Sequence, residues 1–374
     1  MAPRSRRRGA GPPNIYDVAK LAKVSTATVS AVVNGQDKVE AGTRRRVQAA
    51  VKKLHYEPNL YASNLARGRT KLLGLIVSDV VNPFFSEIAQ CIRQEAQTRN
   101  YEIALSSTQF SRADLVASVR RMIGLRVAGV AIMTTERSEQ AVHLLRHYRL
   151  PAIFEDVGTV SHTISNVRID YEGGIFRAVK YLVDLGHRRI LFVRSYPTVS
   201  SEGTHFLSIR LRTQAFERAV LHFKPEGVQA FKVTCPGPGP KAGFQAMGEA
   251  LSRYEFTAAI AIADPVALGA LRYLQQRGYS VPRDISLVGF DNSYLCDYLT
   301  PSLTSVNIPR DKLGRMVVEQ LVRQVEEQAP GAALPLETEL IVRESATRPP
   351  SKRLNRIRTS GAVSGKRKAG DRSK

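Results

Sequence analysis

Seven short runs of nearly continuous apolar sequence, separated by helix-forming stretches, limit the folds open to this chain: LLGLIVSDV (72–80), YEIALSST (101–108), GVAIMTT (129–135), PAIFEDV (151–157), RILFVRS (189–195), AAIAIAD (258–264) and ISLVGF (285–290). A strand with one wet face alternates apolar and polar residues; one that is apolar throughout is covered on both faces, as in parallel sheets flanked by helices. The intervening SEIAQCIRQEAQTR and LVASVRRMIGLR carry helical spacing. With 374 residues, 43% of them hydrophobic, the chain has room for two such sheets.

The first seventy residues obey a different pattern. In IYDVAKLAKVS, Ile15, Val18, Ala19 and Ala22 recur at three- and four-residue spacing, which buries one face of a first helix. Ser25 follows a short break and is placed to cap a second helix over 26–34, with Val29, Val32 and Val33 inward. Its other face holds Thr26, Ala27, Ser30 and Ala31, small enough to enter a major groove. A third helix from Thr43 turns Val47, Ala50, Val51 and Leu54 inward and shows Arg44, Arg45, Lys52 and Lys53 to solvent. Such a segment is either an ordinary three-helix bundle or a helix-turn-helix unit.

Five ordered motifs carry a resemblance: NIYDVAKLAKVSTATVSAVVNG, YEPNLYASNLARGRTKLLGLIVSDVVNPFF, DLGHRRILFV, ISLVGFDN and LTPSLTSVNIP. In order and spacing, over residues 14–347, they resemble the lactose/galactose repressor family. The resemblance implies an all-α helix-turn-helix head followed by an α/β core of two doubly wound lobes, periplasmic-binding-protein type I-like. It divides the chain into a disordered basic arm (1–13), the DNA-binding head (14–57), a hinge helix or linker (58–70), a two-lobed effector-binding and dimerisation domain (71–347) and a disordered basic tail (348–374). One lobe is expected to hold about 71–158 and 308–333, the other about 162–304 and 336–346.

The same resemblance assigns residues. Tyr16, Ser25, Thr28, Ser30 and Asn34 stand where family members anchor the sugar-phosphate backbone, and Thr26, Ala27 and Ala31 where they meet base edges. Ala31 departs from the long polar residue common there; it can touch a thymine methyl but donates no hydrogen bond. In the linker, Asn59, Ala62, Leu65 and Ala66 are helix material, and Leu65 sits where relatives drive a wedge into the minor groove; on its residues alone it reads equally as a packing leucine. Around the cleft, Asp79, Phe84, Phe85, Asp156, Arg212, Asp264 and Asp291 match effector contacts. Carboxylates and a guanidinium suit a polyhydroxylated ligand, whereas Phe84 and Phe85 serve equally well as core residues. Ala263 stands in place of a common Asn, Val157 of a common Arg, and Arg194-Ser195 of a frequent Gly pair, so the effector need not be a usual one. The expected partners are an operator on double-stranded DNA, a sugar-like effector and a second copy of the chain, since two heads on a palindrome require a two-fold axis.

Charge agrees with a DNA partner. Residues 1–70 carry 14 Lys and Arg against 4 Asp and Glu, and residues 348–374 carry 10 against 1, leaving a net of only +3 of the total +22 for everything between. Both ends attract nucleic acid, and the tail is an accessory of that attraction rather than a reader of sequence. No apolar run is long enough to span a membrane, and the basic N-terminus has no apolar signal core, so a cytoplasmic protein is expected. Cys91, Cys235 and Cys296 are widely separated and form no CxxC pair. His143 and His147 in HLLRH lack the Glu and third ligand of a zinc site; with no phosphate loop, dinucleotide fingerprint or GxSxG elbow, neither a cofactor nor catalysis is expected. CPGPGP (235–240) reads as a surface loop.

Overall fold

The computed structural model describes residues 12–33, 39–57, 70–156, 160–195 and 207–351. The chain divides into two compact units, residues 1–71 and 72–374.

In the first unit, helix α1 (Ile15–Ala22) begins on a reciprocal cap, in which the Asn14 side chain accepts from the Tyr16 and Asp17 amides while Asp17 Oδ2 accepts from the Asn14 amide. It ends where Lys23 turns left-handed at φ 53°, which starts the tight turn into α2 (Thr26–Val33). Ser25 caps α2 by accepting from the Thr28 amide at 3.1 Å. Helix α3 (Ala41–Leu54) buttresses both, and Val18, Ala19, Ala22, Val29, Val32, Val47 and Ala50 form a small buried core. The expected inward residues Ile15, Val33, Val51 and Leu54 are only half-buried, because three short helices cannot surround every apolar side chain.

The second unit contains two six-stranded sheets. Strands β1 (Leu72–Val77), β2 (Glu102–Ser107), β3 (Gly129–Met133), β4 (Ala152–Glu155) and β5 (Ile164–Ile169) belong to the first; β6 (Arg189–Ser195), β7 (Gln229–Cys235), β8 (Ala258–Ala261), β9 (Ser286–Asp291) and β10 (Thr304–Asn307) belong to the second. The last two strands are exchanged, β11 (Ala333–Leu336) going to the first sheet and β12 (Glu339–Ile341) to the second. The orders are β11-β5-β4-β3-β1-β2 and β12-β10-β9-β8-β6-β7, parallel throughout except for the β10–β12 pair. Buried Leu, Ile and Val of β1, β3, β6, β8 and β9 fill the layer between sheet and helices, as continuous apolar runs require.

The chain crosses between lobes three times, after β5, after β10 and between β11 and β12. The first crossing corrects the sequence reading, which ended the first lobe's opening segment near 158. Residues 164–169 pair with both β4 and β11 and therefore extend that lobe to Ile169. The strand escaped notice because Ser165, Asn166 and Arg168 interrupt its apolar run, yet Ser165 and Asn166 are buried. Ser165 is paired, its Oγ donating to Gln324 Oε1 at 3.0 Å and accepting from the Ala332 amide at 3.1 Å.

In the second lobe the helices Pro240–Arg253 and Asp264–Gln276 touch backbone to backbone. A Cβ on Gly243 would overlap the Val266 carbonyl, and one on Gly269 the Pro240 carbonyl, so this crossing requires glycine on both sides. The contact fixes the two helix N-termini beside the C-terminal ends of β7 and β8.

Candidate functional site

The first unit presents an accessible face built from α1 and α2. Tyr16 is 72% exposed on α1. Ser25 and Ala27 are exposed, and Thr26, Thr28, Ser30 and Ala31 are half-buried along α2. The hydroxyls of Ser25 and Thr28 lie 2.9 Å apart, so the turn that orients α2 also sets these two polar groups. Asn34 and the linker residues Asn59, Ala62, Leu65 and Ala66 lie outside the described residues.

In the second unit, the C-terminal ends of strands from both lobes converge on a cavity of about 380 Å³. Such a crevice beyond parallel strand ends is where open α/β sheets bind ligands, and this volume suits a small molecule. The wall from the first lobe includes Phe84, Phe85, Gln109, Thr135 and Glu155. The wall from the second includes Ser208, Arg212, Ala263 and Asp291, with Pro236–Pro238 at the edge. The CPGPGP segment is thus cavity wall, not merely surface: β7 ends at Cys235 beside β6 and delivers the prolines to the cleft.

Arg212 organises the chemistry. Its guanidinium is buried, lies 4.2 Å from the Phe290 ring centroid and 4.7 Å from that of Tyr171, donates to the Ile262 carbonyl at 2.6 Å and faces Asp291 Oδ1 at 3.5 Å. The Tyr171 hydroxyl donates to Glu155 Oε1 at 3.2 Å. Burial pushes the carboxyls of Glu155 and Asp291 up to about 8, although Arg212 pulls both down. Glu155 Oε2, Asp291 Oδ1, Ser208 Oγ and Arg212 Nε are buried without a hydrogen-bond partner. Asp291 also adopts φ 107°, a strained backbone angle for a residue with a Cβ, held where β9 enters the cleft.

Of the residues expected around the effector, Phe84, Phe85, Arg212 and Asp291 share this cavity, and three others do not. Asp156 follows the end of β4 in a left-handed conformation, with Oδ1 accepting from the Ile169 amide, so Glu155 rather than Asp156 enters the cavity. Asp264 is tied up: Oδ1 accepts from Ser305 Oγ at 2.7 Å, and Oδ2 from the Ser293 amide at 2.7 Å and Cys296 Sγ at 3.2 Å. It pins the start of its helix to β10 and to the turn after β9. Asp79 accepts from the Val81 amide, and with Asp264 it borders a separate, almost wholly apolar chamber of about 220 Å³. Phe84 and Phe85 meet edge to face at 5.3 Å, at once core residues and cavity wall. Sequence reasoning missed Glu155, Gln109, Thr135, Tyr171 and Ser208; of these only Glu155, the charged last residue of the apolar strand AIFE, carried a signal.

Residues 14–59 match the model of bacterial regulatory proteins of the lacI family, and residues 179–346 that of a periplasmic binding protein-like domain. Catabolite control protein A of Priestia megaterium is 32% identical over 315 residues, covering 84% of this chain and 93% of its own. The chain belongs to the LacI family. Among LacI-family structures, the lac repressor dimer bound to operator and the anti-inducer ONPF matches with a TM-score of 0.75 at 28% identity, covering 90% of this chain and 100% of that one. The transcriptional regulator CelR in complex with cellobiose matches with a TM-score of 0.64 at 29% identity, covering 89% and 100%. As a LacI-family member the chain is a DNA-binding transcriptional regulator and not an enzyme. No helix among the described residues is long and apolar enough to cross a membrane.

Proposed function

We propose that this LacI-family regulator binds a palindromic operator as a homodimer, acts as a repressor, and is controlled by a polyhydroxylated effector in the interlobe cavity. The observation that carries the effector reading is the buried Arg212–Asp291 pair, placed with unpartnered polar atoms in a cavity shared by both lobes. A folded core has no use for unpaired buried acceptors unless something else completes them. The sugar class takes support from the cellobiose-bound relative, and the dimer from the lac repressor dimer on its operator. Val81 (83% exposed) and Tyr298 (81%) are apolar surface that a second copy would cover.

On the head, Tyr16, Ser25, Thr28, Ser30 and Asn34 anchor phosphate while Thr26, Ala27 and Ala31 face bases. With Ala31 in place of a long donor, direct readout is thin and shape readout carries more of the specificity. Asn59, Ala62, Leu65 and Ala66 form the linker reader, with Leu65 as wedge. A regulator of this kind works in the cytoplasm, on the nucleoid. Selection of bound genomic fragments identifies the operator; Leu65→Ala then weakens binding to it by about 2–3 kcal/mol, with nonspecific binding retained. An unchanged operator affinity in gel-shift titration rejects the wedge, and equal affinity for operator and random DNA at physiological salt rejects the reading as a whole.

A further inference from the structure

We propose that the effector of this cleft carries a positive charge: it is a polyhydroxylated amine of monosaccharide size whose ammonium group sits between Glu155 of one lobe and Asp291 of the other. The inference rests on the effector reading above and adds the charge of the ligand to it.

The argument is one of charge and satisfaction. Glu155, Asp156 and Asp291 gather round the guanidinium of Arg212, which acts electrostatically on all three. Glu155 and Asp291 are buried and line the cavity; Glu155 Oε2 has no hydrogen-bond donor, Asp291 Oδ1 has only the Arg212 guanidinium facing it at 3.5 Å, and Asp156 backs Glu155 with a further oxygen lacking a donor. The other cations nearby have carboxylate partners of their own or face solvent. Arg310 pairs with Glu87 at 3.0 Å and donates to the Asp291 carbonyl, Arg137 pairs with Glu139 at 2.6 Å, and Arg168, which acts on Asp156, has an exposed side chain. Arg310 also acts on Asp291 but is offset by its own partner Glu87, and Glu87 and Asp264, which act on Asp291 as well, are themselves acidic.

Burial holds Glu155 and Asp291 at about 8, so near neutral pH both carboxyls tend to keep their protons. A neutral sugar can donate to these carboxyls but leaves the protons in place. An ammonium group replaces them with three donors and a full charge in a site shielded from water. A carboxylate ligand would add a like charge. No grouping of His, Cys, Asp or Glu among the described residues fits a metal ion, which leaves an organic cation. The rings of Phe84 and Phe85 on the same wall suit a sugar-sized cation as well.

The test is isothermal titration calorimetry of the full-length protein at pH 7 with matched sets: glucosamine, glucose and glucuronate, and the corresponding galactose and mannose series. The expected result is an amine bound at least about tenfold more tightly than its neutral partner. Its heat should depend on the buffer in the way that proton release requires, and the uronate should not bind. In Glu155→Gln, with folding checked by thermal melting, the amine should lose its advantage over the neutral partner. A neutral sugar bound as tightly as its amine in the native protein, and lost in Arg212→Ala, overturns the charge assignment and leaves the effector site standing. A uronate preferred over its amine also overturns it, and failure of every sugar to bind overturns both readings.

Discussion

Glu155→Gln should make the ligand-free core more stable, by an amount that grows with pH. In the folded chain burial holds Glu155 at about 8, against the 4.5 of the free side chain. Its protonated form is therefore favoured by folding, so the stability it contributes is intact below the unfolded value and is lost progressively as pH rises toward 8. At pH 7 the folded chain must keep a proton that the unfolded chain has released; at about 1.36 kcal/mol per unit this costs roughly 3 kcal/mol, and almost nothing at pH 4.5. Asp156 and Asp291 share the guanidinium that moderates this cost, so about 2–3 kcal/mol is the expected gain for the amide. The amide and the protonated acid leave similar polar surface unpartnered, and both accept from Tyr171, so packing nearly cancels in the comparison. The chain has no Trp, which makes far-UV circular dichroism the natural probe for melting between pH 4.5 and 8. A core of this size should melt roughly 5 °C higher as the variant at pH 7 and at an unchanged temperature at pH 4.5. A difference that stays constant with pH, or a less stable variant at pH 8, would refute the claim that an unpaired buried acid is being held in the cleft.

Arg212→Ala should abolish effector response while operator binding persists in gel shifts; it should also destabilise the core by about 1–3 kcal/mol, because Asp291 and the Ile262 carbonyl lose their buried donor. Retained release of DNA on effector addition excludes that role. Gly269→Ala forces the helices Pro240–Arg253 and Asp264–Gln276 apart and should cost about 3 kcal/mol in urea unfolding, with unchanged stability contradicting the backbone contact. Removing residues 348–374, with their net +9, should flatten the dependence of nonspecific DNA affinity on log salt without altering which fragments are selected; an altered operator would make the tail a reader.

The fold was legible wherever one physical rule governs a whole segment. Continuous apolar runs located β1, β3, β4, β6, β8 and β9 because a strand covered on both faces has no polar alternative. Strand β5 was hidden because its polarity is repaid at long range: Ser165 finds its partners in Gln324 and Ala332, about 160 residues away. Asp264 shows the same limit. Its sequence position at the start of a helix matches an effector contact, but Ser293, Cys296 and Ser305, from segments far along the chain, occupy both oxygens. At the end of β4 two acids stand side by side, and the side-chain direction reverses with each residue. The last strand residue, Glu155, faces the cavity, and the left-handed turn at Asp156 directs Oδ1 of the next carboxyl to the Ile169 amide. Resemblance transfers positions along a chain well; it does not transfer the local turn that decides which of two adjacent carboxyls lines the cavity.

That turn bears on regulation. A ligand shifts a two-state equilibrium only by the difference in its affinity for the two states, and DNA must shift ligand affinity reciprocally. In this cleft the groups left incomplete come from both lobes: Glu155 lies at the end of a first-lobe strand, and Arg212 and Asp291 belong to the second. A ligand that satisfies Glu155 alone, or Asp291 alone, binds an open and a closed arrangement of the lobes equally and changes nothing. One that bridges them gains its second contact only when the lobes stand at one separation, so its affinity differs between the states by about the worth of that contact. A charge-assisted hydrogen bond of about 1.5–3 kcal/mol corresponds to roughly a 10- to 150-fold shift, which is the usual range of allosteric coupling. Removing either carboxyl should therefore lower affinity for the bridged arrangement by about the coupling that it removes. Glu155→Gln and Asp291→Asn, assayed for effector binding with and without operator, should bind ligand with nearly one affinity under both conditions, whereas coupling retained in either variant would place the switch elsewhere.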